Sequence, residues 1–207
     1  MATVQGSDRR AERAAAPASE KPPAVDKPSS PDKAPPTEKP PTTEKPPAAE
    51  KPAAELTVER VTHQDIPAIC SLYKKVWEAE PGLPSDLSKT WQPSPLEFTS
   101  WMEGVTYFAA RRNGRLVGVV GCELDHGACR LVDLAVDPEA RRQAIGTALV
   151  NAALDWARRS TAASVWADPL ARFQACGRLL LRLGFAESGL LHRHLAGEDV
   201  RFFERVL

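Results

Sequence analysis

Apolar and polar positions follow two periods across residues 56–207, and neither period extends into residues 1–55. LTVERV (56–61) alternates and predicts a strand. Ile66, Ile69, Tyr73 and Val76 keep 3-4-3 spacing, which predicts a helix over roughly 64–79 with Thr62 and Asp65 as caps. PGLPSDLSKTWQPSP (81–95) is rich in Pro and Ser and reads as loop, with a short helix over about 95–103. Residues 106–124 read as a hairpin about Asn113-Gly114, because a type I′ turn needs positive φ at both central residues. A further turn at Asp125-His126-Gly127 leads into a third strand, CRLVDLAV (129–136), which Asp137-Pro138 stops. A helix over about 145–160 places Ile145, Leu149, Ala152 and Trp156 on one face. ASVWAD (163–168) is a strand, and 170–183 is helical, with Gly184 where a C′ cap belongs. Residues 185–195 and 199–207 close the chain as a hairpin over Ala196-Gly197-Glu198. The expected order is β-α-α-β-β-β-α-β-α-β-β. This is an α/β (α+β mixed) fold whose helix 145–160 joins two parallel strands in a mixed sheet flanked by helices.

Composition divides the 207 residues near position 55. Residues 1–55 hold 12 of the 19 prolines and no aromatic residue, too little apolar surface to offset the entropy of ordering them. An acid–Lys pair recurs every six residues from Glu20-Lys21 to Glu50-Lys51, giving a hexad K-P-x-x-x-[DE]. This tail reads as disordered and PPII-biased, either a semi-rigid spacer or a ligand for an unknown proline-reading partner, or else as low-complexity drift. Residues 56–207 are long enough to form one ordinary domain.

Charge narrows the function. Lys and Arg number 27 against 27 Asp and Glu, which argues against a nucleic-acid binder. No apolar run approaches the roughly 18 residues of a membrane span, and the first residues lack a signal-peptide apolar stretch. Cys70, Cys122, Cys129 and Cys176 form no CxxC pair. They read as reduced thiols, so a cytoplasmic location is expected. His126, His192 and His194 lack ligand spacing, so no metal is expected.

The informative segment is Val132 to Val150, VDLAVDPEARRQAIGTALV. A buried strand meets a Pro-terminated turn, two arginines and a helix that begins with small residues. The first N–H groups of a helix lack intrahelical partners, and its dipole favours an anion there. Arg141 and Arg142 add charge-assisted contacts to phosphate. Ala144, Gly146 and Ala148 let a ligand approach the backbone.

Arg141-Arg142-Gln143-Ala144-Ile145-Gly146 resembles the acetyl-CoA signature [QR]-x-x-G-x-[GA] of the GNAT N-acetyltransferase superfamily. The preceding LAVDPEAR and the later LLLRLGF (179–185) fit the same family, and the element order matches over 56–207. The resemblance implies an acetyl-CoA-dependent N-acetyltransferase acting by direct transfer to a primary amine. The acceptor would be a small molecule or a protein, and a homodimer is possible in this family. Backbone groups of Leu134, Ala135 and Val136 would meet the pantetheine arm and the thioester carbonyl. Arg141, Arg142, Gln143, Ala144, Ile145, Gly146 and Thr147 would hold the pyrophosphate. Two departures stand out. Ala144 replaces the first glycine and is strained if its φ is positive. Leu180 stands where the family often carries a tyrosine that protonates the leaving thiolate. They leave open a catalytically silent acyl-CoA binder, or an adaptor working through its tail.

Acyl transfer needs a neutral amine. A lysine amine (pKa about 10.4) needs a base far more than an α-amine near 7.7–8.0 does. Asp168 is the first candidate base, with helix N-cap as its alternative role. It lies twelve residues before Leu180, where some family members carry a catalytic carboxylate. Asp133 is the second, with a structural hydrogen bond as its alternative, and Glu123 is the third. Trp77, Trp91 and Trp101 either line an acceptor pocket or belong to the core. Arg111-Arg112 reads as a solvated strand end.

Overall fold

The computed structural model describes residues 55–207. The hexad tail lies outside the described residues. Strand β1 (Leu56–Arg60) leads through a 3-10 turn at His63–Asp65 into helix α1 (Ile66–Glu78). Asp65 accepts from the Thr62 N–H at 2.9 Å, so the two predicted caps do meet. Helices α2 (Ser85–Trp91) and α3 (Pro95–Trp101) follow, then strands β2 (Val105–Arg112), β3 (Arg115–Asp125) and β4 (Ala128–Val136). Helix α4 (Ile145–Arg159), strand β5 (Ser164–Ala167), helix α5 (Gln174–Arg182) and strands β6 (Ala186–Leu195) and β7 (Glu198–Val206) complete the chain.

The sheet order is β1-β2-β3-β4-β5-β7-β6. Only β4 and β5 run parallel, and all other neighbours are antiparallel. The mixed sheet expected from the sequence is therefore present. Asn113 and Gly114 take φ of 49° and 77°, as the predicted turn requires. Helix α4 covers one face with Ile145, Leu149, Ala153, Leu154 and Ala157, all buried. Such a stripe stabilises by about 1.5–3 kcal/mol per large side chain. Ala153 and Ala157 sit deeper than the predicted Ala152 and Trp156, and Trp156 packs at the rim against Phe108. Helices α1 and α3 cover the other face through Ile66, Ile69, Tyr73 and Phe98.

Two predicted elements need correction. The stretch 81–95, read as loop, contains α2. Its prolines lie outside the SDLSKTW run, and Leu87 and Trp91, four apart, turn into an aromatic cluster with Trp77 and Phe173. Helix α5 begins at Gln174 rather than at 170. Leu170 is instead bridged to Val200, with the Arg201 N–H donating to the Pro169 carbonyl at 3.0 Å and a turn beginning at Ala171. Asp168 is therefore not an N-cap of α5.

Candidate active site

The parallel pairing of β4 with β5 runs only from Ala128–Ser164 to Leu131–Ala167. Beyond Leu131 β4 continues alone on that side to Val136, while the chain after β5 turns toward β7. The strands part before Leu134, Ala135 and Val136, the residues expected to meet the pantetheine arm. On its other side β4 stays joined to β3. The Asp137 N–H donates to the Val117 carbonyl at 2.9 Å, and Ala135 sits opposite Val119. Alternation then turns the backbone groups of Val136 and Leu134 to the open side and those of Ala135 toward β3. Of the three predicted backbone residues, two face the gap.

Within the open half lies a bulge. Val119 pairs with Ala135 and Gly121 with Val132, so Val120 alone opposes Asp133 and Leu134. Asp133 takes the left-handed conformation at φ 55°. Two tyrosines hold it. The Tyr107 hydroxyl donates to the Asp133 carboxylate at 2.7 Å, and the Tyr73 hydroxyl donates to its backbone carbonyl at 3.1 Å. Burial raises the Asp133 pKa above the ordinary carboxylate range, against the pull of Tyr107 and Arg130. Glu123 and Asp168 push it further up.

Asp168 lies across the gap at the end of β5. It is tied to Arg130 by two bonds, Nε to Oδ1 at 3.2 Å and Nη2 to Oδ2 at 2.7 Å. Arg130 also approaches Glu123 at 3.6 Å and stands over the Trp166 ring at 5.0 Å. The structure thus brings Asp133, Asp168 and Glu123 together around one guanidinium. Asp168 already shares its electron pairs with that cation, whereas Asp133 keeps a half-buried carboxyl bonded to a neutral hydroxyl.

The loop into α4 begins at Asp137, buried at 3% exposure. Burial pushes its pKa up, but Lys75 at 2.8 Å, the Glu139 N–H and Arg115 at 2.9 Å outweigh it and hold the carboxyl below the usual range. Arg142 (φ 65°) and Ala144 (φ 60°) are both left-handed. Left-handed residues in such a turn aim successive N–H groups into one concavity, a geometry suited to an anion. Ala144 therefore carries the strain that its glycine counterpart would avoid. Arg142 is exposed and free to reach outward, while Arg141 is bound to Glu80 at 2.8 Å and to the Val136 carbonyl at 3.5 Å. Arg112, read as solvated, instead donates to the Gln143 carbonyl at 3.4 Å and braces the loop from β2.

These residues fit a CoA pyrophosphate. A Cβ on Gly146 would stand 2.9 Å from Leu179 Cδ2, so a larger residue at the helix start must displace the tip of that α5 side chain. Ile145 is buried beneath the loop and anchors it, and Thr147 lies in the first turn of α4. Leu180 is 1% exposed and belongs to the core, so no side chain at that position faces the gap without repacking. Among the described residues no group of three or more His, Cys, Asp or Glu side chains is placed to hold a metal ion.

The predicted tryptophans separate. Trp77 and Trp91 meet edge to face at 5.9 Å, with Phe173 at 5.8 Å from Trp91, in a half-buried cluster beside the α1–α2 connection. Trp101 packs on Phe98 in the core under α3. A concavity of about 440 Å³ lies between α5 and the β6–β7 hairpin, away from where the site residues converge. No sequence signal marks Tyr73, Tyr107 or Arg112 as parts of this region. Tyr73 reads as one face of α1, Arg112 as a strand end and Tyr107 only as part of the 106–124 hairpin, and only the bulge and the loop bring them in.

Comparison with known proteins bears on the fold and the family. No curated protein sequence matches the chain. The ribosomal-protein-S18-alanine N-acetyltransferase from Escherichia coli superposes with a TM-score of 0.61 at 22% identity, over 73% of this chain and 94% of that one. The ribosomal-protein-alanine N-acetyltransferase from Brucella melitensis gives 0.63 at 22% identity, over 73% and 99%. The Salmonella typhimurium protein yncA, solved with its cofactor acetyl-CoA, gives 0.62 at 18% identity, over 73% and 94%. At these identities the likeness shows the fold alone. The family model described as "Acetyltransferase (GNAT) family" matches residues 67–185, more than half of the sequence, and the chain belongs to that family.

Proposed function

We propose that this protein is an acetyl-CoA-dependent N-acetyltransferase that acetylates a primary amine, with Asp133 as the base. The observation that carries the reading is the departure of β5 from β4 after Leu131. It leaves a strand edge beside the N-terminus of α4, with Asp133 in the bulge between them. Bound there, acetyl-CoA supplies an acetyl thioester. The Leu134 and Val136 backbone groups orient the pantetheine arm along the open edge. The N–H groups from Arg142 or Gln143 through Thr147, with the Arg142 guanidinium, hold the pyrophosphate. An outward N–H near Leu134 stabilises charge developing on the thioester oxygen.

Asp133 takes the proton that the amine must lose. Its raised pKa brings it nearer to a working base, and Tyr107 fixes its orientation. Asp168 and Glu123, gathered on Arg130, give the mouth of the site a net negative charge that suits a cationic amine. Trp77 and Trp91 form the apolar wall on the acceptor side. An α-amine fits this arrangement better than a lysine, since its pKa of about 7.7–8.0 asks less of one partly screened carboxylate.

The test uses the full chain with acetyl-CoA and a panel of peptide α-amines, lysine peptides and small polyamines, read by thiol release and by product mass. Turnover on at least one amine, lost in Gly146→Glu, supports the reading. Tight acetyl-CoA binding with no turnover across the panel would favour a silent binder instead.

A further inference from the structure

The α1–α2 connection, Glu80 to Gly82, is fastened from both sides of the β4–β5 gap. From the β4 side, Arg141 Nη1 holds the Glu80 carboxylate at 2.8 Å. From the β5 side, Arg172 donates to the Gly82 carbonyl at 2.7 Å and to the Pro81 carbonyl at 3.4 Å. Arg172 is itself anchored to Glu198 of β7 at 3.2 Å. Gly82, at φ 78°, supplies the left-handed turn this strap needs. While bound to Glu80, Arg141 also places its Nε 3.5 Å from the Val136 carbonyl, one of the backbone groups turned to the open edge of β4. The arginine that opens the pyrophosphate loop thus lies back along the cofactor's path, and a carboxylate keeps it there.

We propose that the Glu80–Arg141 pair is a latch on the cofactor channel, in which Arg141 exchanges the Glu80 carboxylate for the CoA pyrophosphate. The inference rests on the acetyl-CoA reading above. One partner of Arg141 is a carboxylate and the other a neutral carbonyl acceptor, so a diphosphate competes for the same guanidinium donors. Release of Arg141 frees the Val136 carbonyl for the pantetheine arm and loosens the strap on one side only, with Arg172 as the remaining hinge. Glu80 thereby sets the cofactor affinity without touching the cofactor. It also couples cofactor entry to the segment that follows Trp77, on the acceptor side.

The experiment is a double-mutant cycle on the full chain, with CoA binding measured by calorimetry for wild type, Glu80→Gln, Arg141→Gln and the double variant. Exposed ion pairs are worth about 0.2–1 kcal/mol, so Glu80→Gln is expected to bind CoA about 1.4- to 5-fold tighter. Arg141→Gln is expected to bind more weakly, and adding Glu80→Gln to it is expected to change nothing. Glu78→Gln, which removes the same charge two residues away, leaves the affinity as it was. Tightening by Glu80→Gln that persists without Arg141 would reduce the effect to general charge repulsion and overturn the latch. Unchanged or weaker binding by Glu80→Gln, with normal wild-type binding, overturns it too. Absence of CoA binding in the wild type overturns the acetyl-CoA reading itself, and the latch with it.

Discussion

Strand β4 is two different objects joined at Leu131. Its first half, Ala128 to Leu131, is paired on both sides and buries Cys129 and Leu131 in the main core. Its second half, Val132 to Val136, has lost its β5 neighbour, carries a bulge, and holds an aspartate in a left-handed conformation. The first half spends its backbone groups on the sheet, and the second offers some of them outward. What separates the halves is local. β5 ends at Ala167, Pro169 follows at once, and one extra residue in β4 reverses which way the next groups face. Substitutions on either side of Leu131 should therefore act on different properties.

The largest effect is expected from Asp133→Asn. If Asp133 is the base, turnover falls about 10²- to 10⁴-fold, the usual range for loss of a general base. Stability should move the other way. The folded-state pKa of Asp133 is raised, so its stabilising contribution is complete below the unfolded value and is lost as pH rises through the folded one. Burial makes the charged form of Asp133 costlier than it is in water, and asparagine removes that cost while tolerating the left-handed backbone. Thermal melts should show Asp133→Asn above wild type at pH 8, with the gap closing as pH falls. A melting temperature below wild type at pH 8 would make Asp133 a structural residue and move the base elsewhere.

Leu131→Ala tests the first half. Truncating a buried leucine costs about 2–5 kcal/mol in denaturant unfolding, and the folded fraction should keep its acetyl-CoA affinity. A loss of affinity larger than the loss of stability would show that the halves are not separable.

Tyr107→Phe acts between these. Its hydroxyl lowers the Asp133 pKa by hydrogen bonding, so its removal raises that pKa further. The acid limb of the kcat/KM profile should shift to higher pH, with activity retained above it. An unmoved limb would separate Asp133 from the rate.

Much of this fold was legible in the pattern. The 3-4-3 spacing of α1, the Asn113-Gly114 turn and the Pro-stopped strand before small residues all correspond to elements where they were expected. The motif also pointed to the loop before α4, where Arg142 and Ala144 take positive φ. Less legible was anything that depends on one element meeting another. SDLSKTW is too short and too polar for periodicity to mark α2, and its helix is set by Leu87 and Trp91 reaching Trp77 and Phe173. Pro169 and Leu170 looked like a helix start, but Leu170 found a better partner in β7. Asp168 and Asp133 were both named, yet nothing in their spacing foretold that Arg130 would occupy one and Tyr107 the other. A bulge leaves no periodic trace, because one inserted residue in a nine-residue strand is invisible against ordinary variation in alternation.

The smallest predicted effect is also the one that most directly separates binding geometry from stability. Ala144 holds φ 60° at the head of α4, where a glycine would sit without strain. A left-handed alanine costs about 1–2 kcal/mol. Glycine relieves that but gives back about 0.4–1 kcal/mol through the greater entropy of the unfolded chain. Ala144→Gly is therefore expected to stabilise by about 0.5–1 kcal/mol in denaturant unfolding. Since the N–H of residue 144 is present in both variants, acetyl-CoA affinity should hold or improve slightly as the loop relaxes. By contrast, Gly114→Ala at the far turn (φ 77°) meets the same conformational penalty and should destabilise without altering affinity. A destabilised Ala144→Gly would mean that the loop does not hold residue 144 left-handed, and that its strain is not a cost of presenting N–H groups to an anion.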